Sequence, residues 1–139
     1  MSAPRAGVTV SAVGEEDLAD LLPLVRGCAD FYGVAPTDED LLTLSRALIA
    51  DPAREGIQLL ARTHDGVAVG FATVFWLWST LSARRVGLMN DLFVAPEARG
   101  AAHVADREGQ RPRAGGLRPD RRHARGVARL LARRVGCGS

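Results

Sequence analysis

Residues 88–100, LMNDLFVAPEARG, form the stretch that decides the fold of this chain. Apolar, strand-forming residues fill its first part, and Pro96 ends that run. A strand that leads through a short turn into a helix brings several backbone N–H groups to the positive end of the helix dipole. The pattern therefore predicts a strand followed by an anion-binding turn, whose residues are Arg99, Gly100, Ala101 and Ala102.

Upstream of this stretch, the spacing of apolar residues predicts five further elements. Alternation over 8–13 predicts a strand, and helical spacing from Leu18 to Cys28 predicts a helix behind three acidic residues. A second helix is expected after Thr37, which begins a capping-box pattern. Strands are expected at 57–63 and 67–80, with a tight turn between them, and the strand of the opening stretch is expected at 84–94. We expect an α/β (α+β) domain, built on a mixed, mainly antiparallel sheet flanked by helices and incomplete at its C-terminus.

The charge distribution divides the chain at about residue 102. Residues 1–100 hold 8 Arg and 13 acidic residues, whereas 101–139 hold 10 Arg and 3 acidic residues. The second part also lacks aromatic residues, so it can bury little apolar surface. We expect an N-terminal domain over 1–102 and an Arg-rich, weakly structured tail over 103–139. Within the tail only 124–135 has a helical apolar face, formed by Val127, Leu130, Leu131 and Val135.

Composition excludes several classes of protein. Cys28 and Cys137 are too few and too far apart for a disulfide scaffold or a zinc site, and His64, His103 and His123 have no metal-ligand spacing. No signal peptide or membrane span is recognisable, because the apolar run 67–78 is short and contains glycine. We expect a soluble cytoplasmic protein with no metal and no membrane partner.

The motif Val94-x-Pro96-x-x-Arg99-Gly100-x-Ala102, preceded by Asn90-Asp91-Leu92-Phe93, resembles the GCN5-related N-acetyltransferase (GNAT) superfamily. Residues 7–102 follow the element order of that family, and its small-amine, diamine acetyltransferase-like branch is the most similar. The resemblance implies acetyl-CoA as cosubstrate. It also implies that the backbone of Leu92, Phe93 and Val94 binds the pantetheine arm, and that Arg99, Gly100, Ala101 and Ala102 bind the pyrophosphate.

The resemblance places a catalytic carboxylate at the position of Asn90, next to Asp91. An alkyl amine with a pKa of about 10 must lose a proton before it attacks a thioester, so a base or a water chain is needed. Because strand side chains alternate, Asp91 should point away from the face of Asn90. Three interpretations stay open: a bulge redirects Asp91, water takes the proton, or Asp91 only anchors the strand.

The acceptor is expected to be a small-molecule amine. By the same resemblance Tyr32 lies in the substrate-side loop. Trp76 and Trp78 share one face of a strand and are candidates for the wall of the acceptor pocket. Asp30 and the acidic residues after Thr37 could attract a cation, although helix capping explains the latter equally well.

The tail lacks the family's fifth strand and its Tyr-bearing helix, and a shifted reading frame accounts for this. Permitted codons for 103–122, read one nucleotide later, give TWQTAKASARAQAVYDRTGG, which resembles that strand and helix. We therefore expect an aberrant, frameshifted C-terminal region and impaired activity in this chain.

Two other functions remain open. A basic tail can bind nucleic-acid phosphate, so a non-catalytic nucleic-acid or protein-interaction module is the alternative, although the tail has no stacking aromatic residues. The second is a regulatory protein that keeps the fold of the family without catalysing its reaction. A homodimer is compatible with either function.

Overall fold

The computed structural model of the protein describes residues 7–98 and 121–136, and the side chains of the last helix over 125–133. Seven main elements are present, with 3-10 turns at Glu15–Asp17 and Pro96–Ala98. In chain order they are β1 (Val8–Ala12), α1 (Leu18–Phe31), α2 (Asp38–Ala50), β2 (Gly56–Thr63), β3 (Ala68–Ser79), β4 (Arg84–Val94) and α3 (Arg121–Gly136). The predicted order and the mainly antiparallel α+β class are confirmed, and each strand ends within one residue of its expected bounds.

The four strands form one sheet in the order β1-β2-β3-β4, and each neighbouring pair is antiparallel. The turn at His64, Asp65 and Gly66 joins β2 to β3, where Gly66 has a φ of 84° that suits glycine. Thr37 caps α2 as expected, since its hydroxyl accepts a hydrogen bond from the backbone N–H of Asp40 at 3.1 Å.

One face of the sheet packs against α1 and, at its margin, α2. The register aligns Leu60, Phe71 and Phe93 across three strands, and these side chains pack with Leu21 and other buried residues of α1. A Cβ on Gly27 would lie 3.1 Å from Cζ of Phe93, so the small residue lets the helix approach the sheet closely. This contact fixes the position of α1 over the end of β4.

The opposite face of the sheet is covered by α3. Leu131 is fully buried, in a cluster whose other buried members are Leu59, Ala61, Val69, Ala72 and Val94. The predicted helical face at 124–135 is confirmed by this packing for Val127 and Leu131. Residues 121–136, which lie within the tail that was expected to be weakly structured, thus form a helix, since a single apolar stripe suffices to dock a helix on a sheet.

The position of Leu131 gives a direct test of this packing. Leu131→Ala removes a fully buried side chain, so we expect a loss of about 2–5 kcal/mol in the free energy of unfolding. Leu130→Ala, in the same helix at a half-buried position, should cost less than about 1.5 kcal/mol. Urea denaturation measures both. Equal effects of the two substitutions would show that α3 does not dock through Leu131.

Candidate active site

A β-bulge in β4 is the central feature of the site. Thr73 pairs with Asp91, but the next residue of β3, Val74, pairs with Met89, so Asn90 has no pairing partner on β3. An extra residue of this kind breaks the alternation of side chains. Asn90 and Asp91 consequently lie on the same side of the strand, and Nδ2 of Asn90 donates to Oδ2 of Asp91 at 2.8 Å. Of the three interpretations of Asp91, the structure has the geometry in which a bulge redirects it.

Asp91 belongs to the face of the sheet that α1 covers. It precedes Phe93 by two residues, and the backbone between them pairs regularly with β3. The carboxyl group is half-buried, whereas Asn90 is exposed. Burial raises the pKa of Asp91, and the hydrogen bond from Asn90 partly opposes that rise. A carboxylate with a raised pKa is a stronger base, which suits proton abstraction.

Tyr32 lies at the C-terminal end of α1, the helix that packs on the same face of the sheet as Asp91. Gly27 lies against Phe93, and one further turn along α1 advances about 6 Å toward Phe31. Two residues back along β4 cover a similar distance, about 6.6 Å, and reach Asp91. The end of α1 thus runs in the direction of Asp91, and it carries exposed aromatic and apolar side chains: Phe31, Tyr32 and, in the following loop, Val34.

Near the end of β4, successive residues direct their backbone N–H and C=O groups alternately toward β3 and toward the outer edge of the sheet. Ala95 N–H donates to the carbonyl of Val69 at 2.8 Å, so the main chain of Ala95 faces β3. Positions whose main chains face the partner strand alternate with positions whose main chains face away from it. The main chain of Phe93 therefore also faces β3, while the main chains of Leu92 and Val94 face the outer edge. β4 is the outermost strand of the described sheet. Leu92 can thus present backbone groups there, whereas Phe93 contributes its ring to the core.

The predicted pyrophosphate turn, Arg99, Gly100, Ala101 and Ala102, lies outside the described residues. The segment that leads to it borders a groove of about 520 Å³, which opens between α1, the β2–β3 turn and the 3-10 turn after β4. Its walls are mainly apolar, from Leu24, Val67 and Phe93, with the carboxylates of Asp20 and Glu97 at its sides. An apolar or cationic group fits such a groove better than an anion.

Trp76 and Trp78 share a face, as the sequence analysis expected, but alternation places that face opposite Asp91. Trp76 is buried and its indole N–H donates to the carbonyl of Pro52 at 2.7 Å. Trp78 is exposed, and the guanidinium of Arg85 stacks 5.3 Å from its ring centroid. The structure therefore does not bring the two tryptophans together with Asp91.

Two polar residues of the site escaped the sequence analysis. Gln58 and Thr73 are buried on the same face as Asp91, and Nε2 of Gln58 donates to Oγ1 of Thr73 at 3.1 Å. Each interrupts an otherwise apolar strand, at Ile57–Ala61 and Phe71–Val74 respectively, and that interruption was the available signal. Within 7–98 and 121–136 no group of three potential metal ligands occurs, and no helix there is long and apolar enough to span a membrane.

The fold defines a class of protein. A mainly antiparallel four-stranded sheet flanked by helices has the architecture of the GNAT acetyltransferases. No family model matches the chain. The uncharacterized N-acetyltransferase YhfO of Bacillus subtilis (strain 168) is 30% identical over 83 residues, which are 60% of this chain and 54% of that protein. The chain thus spans about half the length of the curated relative it matches.

Solved structures agree with this fold. A probable acetyltransferase superposes with a TM-score of 0.60 at 27% identity, over 88% of this chain and 72% of its own. The aminoglycoside antibiotic 6′-N-acetyltransferase of Acinetobacter baumannii superposes with a TM-score of 0.52 at 25% identity, over 67% of this chain and 60% of its own. The chain therefore resembles acetyltransferases in both sequence and fold.

The raised pKa of Asp91 predicts a pH-dependent stability. Between the ordinary pKa of 3.8 and the raised value, the folded protein holds a proton that the unfolded chain has lost, so stability falls as pH rises through this window. Asp91→Asn removes the buried charge. We expect its melting temperature to exceed that of the wild type at pH 7, and the difference to shrink toward pH 4.

Asp30→Asn, at an exposed position, is the matched control and should show no such trend. Melting curves recorded from pH 4 to pH 8 provide the comparison. A wild type that is more stable than Asp91→Asn at pH 7 would contradict the assignment of a desolvated carboxylate.

Proposed function

We propose that the protein is an N-acetyltransferase that transfers the acetyl group of acetyl-CoA to a primary amine of a small molecule. The observation that carries the proposal is the bulge at Asn90. It places Asn90 and Asp91 on one side of the strand, at the margin of the face that α1 covers, while Leu92 directs its main chain to the edge of β4 that faces away from β3. A base and the backbone groups of Leu92 thus lie side by side on one strand.

The outer edge of β4 fits the cosubstrate. A pantetheine arm carries two amides, and an extended chain with amides can add to a sheet edge through main-chain hydrogen bonds. Leu92 would supply such bonds, with Val94 beside it and the turn at Arg99, Gly100, Ala101 and Ala102 ahead of it. When bound, acetyl-CoA supplies an activated acyl group as a thioester.

Asp91 is the group that we assign to accept the proton of the acceptor ammonium. Its half-buried position raises its pKa and so increases its proton affinity. Proton transfer from the ammonium group to Asp91 is therefore less unfavourable than transfer to an ordinary carboxylate. Asn90 positions Asp91 through the hydrogen bond that its side-chain amide donates to Oδ2 of Asp91.

The acceptor site would lie between the end of α1 and the bulge. Phe31, Tyr32 and Val34 are exposed there, and they would provide apolar and aromatic surface to an alkyl or aromatic amine. Asp30 adds a negative charge on the same helix end, which favours a cationic acceptor. The tryptophans Trp76 and Trp78 contribute less to this proposal, since alternation places them on the opposite face.

Binding of acetyl-CoA tests the proposal independently of turnover. A ligand at 100 times its Kd stabilises the folded state by about 2.7 kcal/mol, so millimolar acetyl-CoA should raise the melting temperature by several degrees. Leu92→Ala keeps the backbone N–H at the edge and should retain the shift. Leu92→Pro removes that N–H, on the side where an edge strand tolerates proline, and should lose most of it.

Thermal-shift titrations of the three proteins make the measurement, and release of free thiol with a panel of amines reports turnover. No shift at millimolar acetyl-CoA in the wild type would overturn the function. A shift that Leu92→Ala and Leu92→Pro keep equally would overturn the placement of the ligand along β4.

We also propose that this chain belongs to the small-amine branch and that its reading frame is lost near residues 100–102. The proposal is supported by the family-like text TWQTAKASARAQAVYDRTGG, which permitted codons for 103–122 yield in the next frame. Residues beyond the shift would not have been selected for catalysis. Activity below that of complete relatives is the expected consequence.

The nucleotide sequence of the natural gene tests the proposed loss of the reading frame. The shifted sequence requires CTA or TTA at Leu117 and CGA at Arg118, and DNA sequencing of the natural gene reads both positions. These codons are the expected result, and any other codon at either position would contradict the shifted frame. As an internal control, the codons of 7–98 should give no family-like text when read one nucleotide later.

A further inference from the structure

The strands carry a row of three polar residues across the face that α1 covers. Gln58, Thr73 and Asp91 stand directly opposite one another on β2, β3 and β4. Gln58 is 5% exposed and Thr73 is 3% exposed. The neighbouring row on the same face, Leu60, Phe71 and Phe93, is entirely apolar. A polar row therefore runs through an apolar surface and ends at Asp91.

The hydrogen bonds within this row have a direction. Nε2 of Gln58 donates to Oγ1 of Thr73 at 3.1 Å, which occupies one lone pair of the hydroxyl on the β2 side. The proton of Thr73 is then available on the opposite side, toward β4. The described structure has no hydrogen bond between Thr73 and Asp91, but directly opposed residues have their Cβ atoms about 5 Å apart, so a rotation of the side chains suffices to bring the hydroxyl to a carboxylate oxygen. Asn90 already donates to Oδ2, and within the described chain no hydrogen bond to Oδ1 occurs.

The fold alone gives no reason for an amide at Gln58. Its Oε1 is buried and accepts no hydrogen bond from the residues that the structure describes. Exchanging the two ends of the amide would leave the nitrogen unsatisfied instead and would turn the Thr73 proton toward Gln58, so only the orientation in the structure leaves that proton for Asp91. A buried polar atom without a partner is destabilising, whereas an apolar residue of similar size would not be. A polar residue at this position points to a role other than packing.

We propose that Gln58 and Thr73 are positioning residues for Asp91, in which the Gln58 amide orients the Thr73 hydroxyl so that it donates to the ionised carboxylate. This inference rests on the proposed role of Asp91 as the base. In this arrangement Asn90 holds Oδ2 of the carboxylate, as in the structure, and the Thr73 hydroxyl would turn to hold Oδ1 when Asp91 is ionised. The oxygen lone pair that remains is directed at the acceptor amine, and it takes up the ammonium proton to give a neutral carboxyl group.

Other charges around Asp91 leave this arrangement intact. The elements packed on this face carry Arg26, Asp30 and Tyr32 at the end of α1 and Asp38 at the start of α2. Arg26 forms an ion pair with Asp38. None of these groups shifts the pKa of Asp91, which burial raises and the Asn90 hydrogen bond lowers. A change in its titration after substitution in the row would therefore report on the row.

The test is a direct titration of Asp91 in the full chain without any ligand. Carboxyl ¹³C chemical shifts of ¹³C-labelled aspartate are followed from pH 3 to pH 9, with the Asp91 signal assigned by its loss in Asp91→Asn. Thr73→Val removes the hydroxyl and should raise the pKa of Asp91 by about one unit. Thr73→Ser restores the donor and should return the pKa to the wild-type value. Gln58→Met should raise it by less, since the hydroxyl remains but is no longer oriented.

Stability measurements separate positioning from packing. Gln58→Met should leave the melting temperature unchanged or higher, because it removes a buried unsatisfied atom. Ser45→Ala, at a buried hydroxyl on α2, is the matched control and should leave the Asp91 titration unchanged. An Asp91 titration that is the same in wild type, Thr73→Val and Gln58→Met would overturn the inference.

The titration needs no turnover, so its failure differs from failure of the proposed function. If the wild type binds no acetyl-CoA but Thr73→Val shifts the pKa of Asp91, the positioning role of Gln58 and Thr73 is supported and the acetyltransferase function is contradicted. If acetyl-CoA binds but the pKa of Asp91 does not change, the positioning role is contradicted and the acetyltransferase function is supported. With both results positive, the ascending limb of the pH–kcat/KM profile should move with the titrated value in each variant.

Discussion

One extra residue in β4 is the constraint on which the rest of the structure depends. Ten residues of β3, from Gly70 to Ser79, stand opposite eleven residues of β4, Arg84–Val94. The pairing is fixed at one end by the turn after Ser79 and at the other by Phe93, which must meet Phe71 and Gly27 under α1. The surplus residue has to leave the ladder between these two points, and it does so at Asn90.

The bulge affects both layers of the domain. Beyond it, Phe93 faces α1, while Leu92 and Val94 pack toward α3 and Leu131. A shift of one residue would exchange these sides and place Phe93 against α3. The same local step brings Asp91 to the side of Asn90, at the margin of the α1 face. Correct core packing and the orientation of the candidate base are thus consequences of a single backbone feature.

Much of the fold was predictable because it follows from periodicity and capping. Alternation and helical spacing gave every element up to β4, and Thr37 marked the start of α2. The face assigned to Asp91 could not be predicted, because a bulge depends on which residues pair across two strands. The same limitation applied to Trp76 and Trp78. The sequence showed that they share one face of the strand, but it did not show which side of the sheet that face lies on. The docking of α3 was missed because the average composition of 103–139 hides the apolar stripe around Leu131.

Both the core packing and the orientation of Asp91 depend on the shift of one residue in the β3–β4 register at Asn90. Cross-strand nuclear Overhauser effects in the labelled protein measure that register directly. The account predicts contacts between Thr73 and Asp91 together with contacts between Val74 and Met89, so that one residue of β4 is passed over. Contacts between Val74 and Asn90, with unbroken alternation along β4, would contradict it and would return Asp91 to the face opposite Asn90.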